Sequence, residues 1–94
     1  MRAEYDTQAD AISIELIEAE RADGGDEVHD RAIVALVNGR AVEVQLLYPD
    51  LGLDEPIRAA SERYDLDREA LTAAARSALA APDRRVTVEV GLRR

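Results

Sequence analysis

The stretch AIVALVNGRAVEVQLL, residues 32–47, decides the fold of this chain. Two apolar runs flank Asn38-Gly39, a pair that favours a type I′ hairpin turn because both residues tolerate positive φ. After the turn, aliphatic and polar residues alternate as in a strand that buries one face. The run before the turn, residues 32–37, is apolar on both faces, so we expect both faces to be covered.

The pattern of the first half of the chain predicts an antiparallel four-stranded meander over residues 1–47. Its four predicted strands are residues 2–5, 11–17, 28–37 and 40–47. Asp6 and Asp10 fall in the first turn, where aspartate carboxylates accept hydrogen bonds from nearby backbone N–H groups. Residues 18–27 are acidic and contain two adjacent glycines, so we expect a poorly ordered loop there.

Beyond residue 47 the apolar period becomes helical. Asp54 is the predicted N-cap of a helix that ends near residue 64. Asp67 is the predicted N-cap of a second helix, with Leu66 and Leu71 forming a hydrophobic staple around it. The second helix ends before Pro82, because the residue preceding a proline is disfavoured in helical conformation.

The resulting order β-β-β-β-α-α-β predicts one α+β domain over residues 1–94, with the helices packed on one face of the sheet. Its second half holds a helical pair, residues 54–81, and a final strand, residues 85–90. The predicted core combines the apolar faces of strands and helices. Its residues are Ile12, Ile14, Leu16, Val34, Leu36, Val42, Val44, Leu46, Ile57, Leu71, Ala74, Ala75, Ala78 and Leu79.

The composition predicts a thin core. The 94 residues contain seventeen Ala, three Tyr, and no Phe or Trp. A domain of this size has little apolar area to bury, so we expect a homodimer, formed through the sheet or by exchange of the final strand. The absence of Cys excludes disulfides and thiolate metal sites. No apolar run is long enough for a membrane span, and the polar N-terminus does not resemble a secretory signal, so we expect a cytoplasmic protein.

The charge is strongly acidic and unevenly distributed. The net charge is −8, and residues 1–53 account for all of it, with four Arg against twelve Asp and Glu. Such a surface repels nucleic acid and anionic lipid and attracts basic proteins. We therefore expect a protein-interaction module, in its most concrete form an antitoxin-like neutraliser of a basic partner. The predicted contact residues are Glu20, Asp23, Asp26 and Glu27.

One motif in the first half carries a family resemblance. It reads Tyr5-Asp6-x-x-Ala9-Asp10-Ala11-Ile12-x-Ile14-x-Leu16. With the acidic stretch and the later hairpin, residues 1–47 resemble a small bacterial family, domain of unknown function number 2283. The chain departs from the family in having Ser13 where an aromatic residue is frequent. The resemblance implies a compact antiparallel sheet, supplies no catalytic residues, and points to toxin–antitoxin-like gene pairs.

Residues suited to catalysis or cofactor binding do not form a recognisable pattern, so we predict no enzyme activity, no cofactor and no metal site. His29 is the only histidine, and its acidic neighbours lie in the predicted loop. Ser13 and Ser61 have no base at a diagnostic spacing. A small metal-dependent or hydrolytic enzyme is therefore the least favoured of the three functions that we consider.

The second alternative is a DNA-binding helix-turn-helix over residues 57–76. Its recognition helix would present Arg68, Thr72 and Arg76 to DNA. An ordinary helix–helix corner needs the same small and apolar positions, and the two helices carry no basic surplus for phosphate contacts. The sequence therefore favours the corner over the DNA-binding unit.

Overall fold

The computed structural model describes residues 1–19 and 21–88. Within them, one antiparallel sheet has the strand order β3-β4-β5-β2-β1-β6, and two helices follow the fifth strand. The elements are β1 Arg2–Asp6, β2 Ala11–Glu15, β3 Gly24–His29, β4 Ala32–Val37, β5 Arg40–Leu47, a 3-10 helix Pro49–Leu51, α1 Asp54–Tyr64, α2 Arg68–Ala80 and β6 Arg85–Thr87. None of these helices is long and apolar enough to cross a lipid bilayer.

The α+β class is confirmed, but the predicted four-stranded meander describes only part of the sheet. Hairpins join β3, β4 and β5, whereas β2 pairs with the far side of β5. The chain must therefore pass β5 and β4 between β2 and β3, which gives a Greek-key arrangement of these four strands.

The predicted loop over residues 18–27 is wrong from Gly24 onward, because that part forms β3. The predicted strand over residues 28–37 is likewise two strands, β3 and β4. They are separated by a turn in which the backbone N–H of Arg31 donates to Nδ1 of His29 at 3.0 Å. As an edge strand, β3 is held by backbone pairing to β4 and needs no regular apolar alternation.

A β-bulge in β5 sets which residues enter the core. Leu36 lies opposite Ala41 and Ala35 lies opposite Glu43, so Val42 is an extra residue in the ladder. Val42 is buried, as predicted, although it lies outside the main core cluster. Its carbonyl accepts hydrogen bonds from the chain that leaves β2, including one of 2.8 Å from the Leu16 N–H.

The rest of the core follows the prediction closely. Both helices pack on the inner face of the sheet, α1 against β3, β4 and β5 and α2 against β1, β2 and β6. The fully buried residues of this cluster are Ala3, Ile12, Ile14, Ala32, Val34, Val44, Leu46, Ile57, Ala60, Leu71, Ala74, Ala75 and Ala78. Leu16, Leu36 and Leu79 are only partly buried at its margin.

The two predicted helix caps have different outcomes. The Asp67 side chain accepts a hydrogen bond of 3.1 Å from the Ala70 N–H, which confirms the cap of α2. The Asp54 cap is wrong, because Leu53 is the N-cap of α1 and provides no side-chain bond. Asp54 lies instead in the first turn, where its negative charge interacts favourably with the helix dipole.

The final strand pairs within its own chain, with β1. Asp83, just before it, accepts hydrogen bonds from the backbone N–H and hydroxyl of Thr7, which lower the pKa of the Asp83 carboxyl. This contact joins the start of β6 to the turn between β1 and β2. Residues 89–90 of the predicted strand lie outside the described residues.

Replacing Leu46 by Ala tests the core assignment. Leu46 is 1% exposed, so we expect the variant to lose about 2–5 kcal/mol of unfolding free energy. Leu51 is 67% exposed, and Leu51→Ala is the matched control, with a change within about 0.5 kcal/mol. Urea denaturation measures both, and equal midpoints for the two variants would contradict the assignment.

Self-association through the sheet stays a prediction. The outer face, opposite the helices, presents partly buried aliphatic residues of β4 and β5, among them Ile33, Val37 and Leu47. We expect light scattering at tens of micromolar to give twice the monomer mass of 10.3 kDa. A mass equal to that of the monomer would show that a second copy does not cover this face.

Candidate protein-interaction site

A broad depression lies on the surface between the edge strand β3 and helix α1. It is open and has a volume of about 630 Å³. Its lining includes three acidic residues, one arginine and two apolar residues. The lining residues are Asp26, Glu27, Val28, Ala59, Glu62 and Arg63.

Asp26 fixes the geometry of this depression. Its carboxylate accepts a hydrogen bond of 2.6 Å from the Tyr64 hydroxyl and one of 3.2 Å from Nε of Arg63. The bond to Asp26, together with burial, raises the pKa of the Tyr64 hydroxyl. These contacts hold β3 against the end of α1 and neutralise the one arginine of the lining.

The two remaining acidic residues of the lining are Glu27 and Glu62. Glu27 on β3 and Glu62 on α1 are both exposed, and neither forms an ion pair with any described residue. Because Asp26 already neutralises Arg63, these two glutamates determine the electrostatic character of the depression. The lining of the depression is therefore acidic and includes two apolar residues, Val28 and Ala59.

The four predicted contact residues do not form one loop. Asp26 and Glu27 lie together in β3, whereas Asp23 accepts hydrogen bonds of 3.0 and 3.2 Å from the Asn38 N–H and so stabilises the β4–β5 turn. Glu20 lies outside the described residues. Sequence reasoning missed Glu62 and Arg63, because nothing in the chain pattern places α1 beside the edge strand.

The predicted DNA-reading residues lie on the side of α2 that faces away from the sheet. Nη2 of Arg68 lies 3.8 Å from the Asp54 carboxylate, and the Thr72 hydroxyl donates to the Arg68 carbonyl at 2.9 Å. Arg76 is exposed on the same helix. Glu69 is also exposed there, so this surface does not have the concentrated positive charge that phosphate contacts require.

The residues of the family-like motif serve the first turn. Oδ1 of Asp6 accepts hydrogen bonds from the N–H groups of Gln8 at 3.0 Å and Ala9 at 3.2 Å, as predicted for a turn aspartate. The Asp10 carboxylate instead accepts a hydrogen bond of 2.8 Å from the Tyr5 hydroxyl. The motif thus has a structural explanation that requires no ligand.

A second group of charges lies on the outer face of the sheet. Glu15 and Glu43 are direct cross-strand neighbours, and Arg85 lies 3.8 Å from the Glu15 and Glu4 carboxylates. Burial, followed by the charge of Glu15, raises the pKa of Glu43. Among the described residues, no group of three or more His, Cys, Asp or Glu side chains is arranged to hold a metal ion.

The comparisons with known proteins find no relative: no protein-family model, curated protein or solved structure is significantly similar to this chain. The resemblance of residues 1–47 to family 2283 therefore stays a prediction.

The raised pKa of Glu43 predicts a pH-dependent effect of Glu43→Gln. A carboxyl whose folded-state pKa is raised stabilises the fold below its unfolded pKa, and this stabilisation is lost as the pH rises through the folded pKa. We therefore expect Glu43→Gln to raise the urea midpoint at neutral pH and to lose that advantage below about pH 4. Glu18→Gln, in the exposed connection after β2, is the control. A lower midpoint for Glu43→Gln at neutral pH would contradict the pKa direction.

Proposed function

We propose that this protein is a non-enzymatic interaction module that binds a basic protein partner at the depression between β3 and α1. The observation that carries the proposal is that two exposed glutamates, Glu27 and Glu62, line that depression and form no ion pair with any described residue. An antitoxin-like neutraliser of a basic protein is the most concrete form of this function.

The lining of the depression suits the side chains of such a partner. Arg and Lys bury their aliphatic stems on apolar surface while their charged ends stay near carboxylates. Val28 and Ala59 offer that surface in the same lining as the two glutamates. The net charge of −8 would also accelerate association with a basic protein through long-range attraction.

A helix-turn-helix function finds less support in the arrangement of charges. The Arg68 guanidinium lies near the Asp54 carboxylate, and Glu69 is exposed on the same helix. Phosphate contacts need clustered basic side chains. An electrophoretic shift on DNA at low salt should therefore show no complex.

The proposed function is tested with a labelled peptide of alternating Arg and Val as the basic probe. We expect the double variant Glu27→Gln/Glu62→Gln to weaken binding about three- to tenfold at low ionic strength, because two exposed charge pairs are lost. The salt dependence of binding should also decrease. Fluorescence anisotropy at low and physiological ionic strength measures both effects.

The matched control is Glu18→Gln/Asp50→Asn, which changes the net charge equally at positions that do not line the depression. This control should weaken binding only slightly through long-range attraction. An equal loss of affinity in the two double variants would show that the probe responds to net charge alone, and it would overturn the proposed site.

A further inference from the structure

The strand that forms one wall of the acidic depression also has a free edge. β3 is the first strand in the sheet order, and its described pairing is with β4 alone. An edge strand presents unpaired backbone N–H and C=O groups that can pair with another chain. The hydrogen-bond ladder shows which residues of β3 present these unpaired backbone groups.

In an antiparallel sheet, a strand directs the backbone groups of alternate residues to opposite neighbours. The Leu47 N–H donates to the carbonyl of Arg31 at 2.9 Å, so odd-numbered residues along β4 face β5. The Asp23 N–H donates to the carbonyl of Leu36 at 2.9 Å, so even-numbered residues of β4 face β3. Both bonds give the same assignment.

This assignment identifies the free groups of β3. Val34, an even-numbered residue of β4, pairs with Asp26 and uses the Asp26 backbone groups. Gly25 and Glu27, on either side of Asp26, therefore direct their N–H and C=O groups to the open edge. The exposed Glu27 carboxylate lies on the same residue as one of these backbone donors.

The negative charge of the β3 edge determines which kind of strand can pair with it. Pairing of two β3 edges from two copies of the chain would bring Asp26 and Glu27 near their own counterparts, and like charges on adjacent strands are destabilising. A basic segment would instead place Arg or Lys side chains near Glu27 and Glu62. The edge thus disfavours a second copy and favours a basic, extended partner.

We propose that β3 accepts an added strand: a basic, extended segment of a protein partner that pairs with the backbone of Gly25 and Glu27. This inference rests on the proposed function and specifies its binding mode. Backbone pairing supplies affinity independent of the partner's sequence, and the depression beside α1 supplies the preference for basic side chains.

The test removes hydrogen-bond donors without changing charge. Gly25→Pro removes the N–H that faces the open edge, whereas Gly25→Ala keeps it. A Cβ at Gly25 meets nothing closer than 3.9 Å, so the alanine control fits the fold. On the probe side, the alternating Arg and Val peptide is compared with a form N-methylated along both of its edges, which has the same charge but cannot pair as a strand.

We expect Gly25→Pro and N-methylation of the peptide each to weaken binding about tenfold or more, while Gly25→Ala changes it less than about twofold. Unchanged affinity of the wild-type protein for the methylated peptide would overturn strand addition, whether or not Gly25→Pro folds. If N-methylation had no effect but the Glu27→Gln/Glu62→Gln variant still lost affinity, the proposed binding site at the acidic depression would be retained. If methylation abolished binding but the double variant did not weaken it, the preference for a basic partner would fail instead.

Discussion

The close approach of the helices to the sheet is the constraint on which the rest of this structure depends. Among the described residues, no aromatic side chain is fully buried in the main core cluster, and the face that α2 buries consists of Leu71 and three alanines. Such small side chains fill the interface only if the helix backbone lies near the strands. Most of the inner face of the sheet is therefore covered by apolar side chains of the helices, whereas at β3 the contacts with α1 include polar side chains. There Tyr64 and Arg63 bind the Asp26 carboxylate, so polar contacts hold the edge strand in place.

Much of the fold could be predicted from local patterns. The Asn38-Gly39 hairpin, the cap of α2 by Asp67 and the buried stripe of α2 each depend on residues close together in the chain. The missed features depend on distant neighbours. β3 lacks a clear apolar alternation because it lies at an edge. The bulge at Val42 moves one valine out of the main core without any break in the alternating pattern of β5.

The candidate site was predictable only in part, for the same reason. The acidic composition of the first half of the chain indicated Asp26 and Glu27 as contact residues, but we predicted a poorly ordered loop there. The structure places both in a strand and gives Asp26 two hydrogen-bond partners that the sequence did not indicate. Glu62 completes the depression because α1 packs beside β3, a tertiary contact that leaves no local signal in the sequence. Charge alone therefore led to the proposal of a basic partner, and the packing of α1 beside β3 led to the proposed place of binding.

We propose that the free backbone of β3 and the acidic depression beside it form one binding surface. Amide hydrogen exchange tests it most directly, because exchange reports whether individual N–H groups are hydrogen-bonded. In the free protein, Gly25 and Glu27 should exchange rapidly while Asp26, which pairs with Val34, exchanges slowly. Saturation with the basic alternating peptide should slow Gly25 and Glu27 and leave Asp26 slow. Rapid exchange at both Gly25 and Glu27 in the saturated complex would contradict the account.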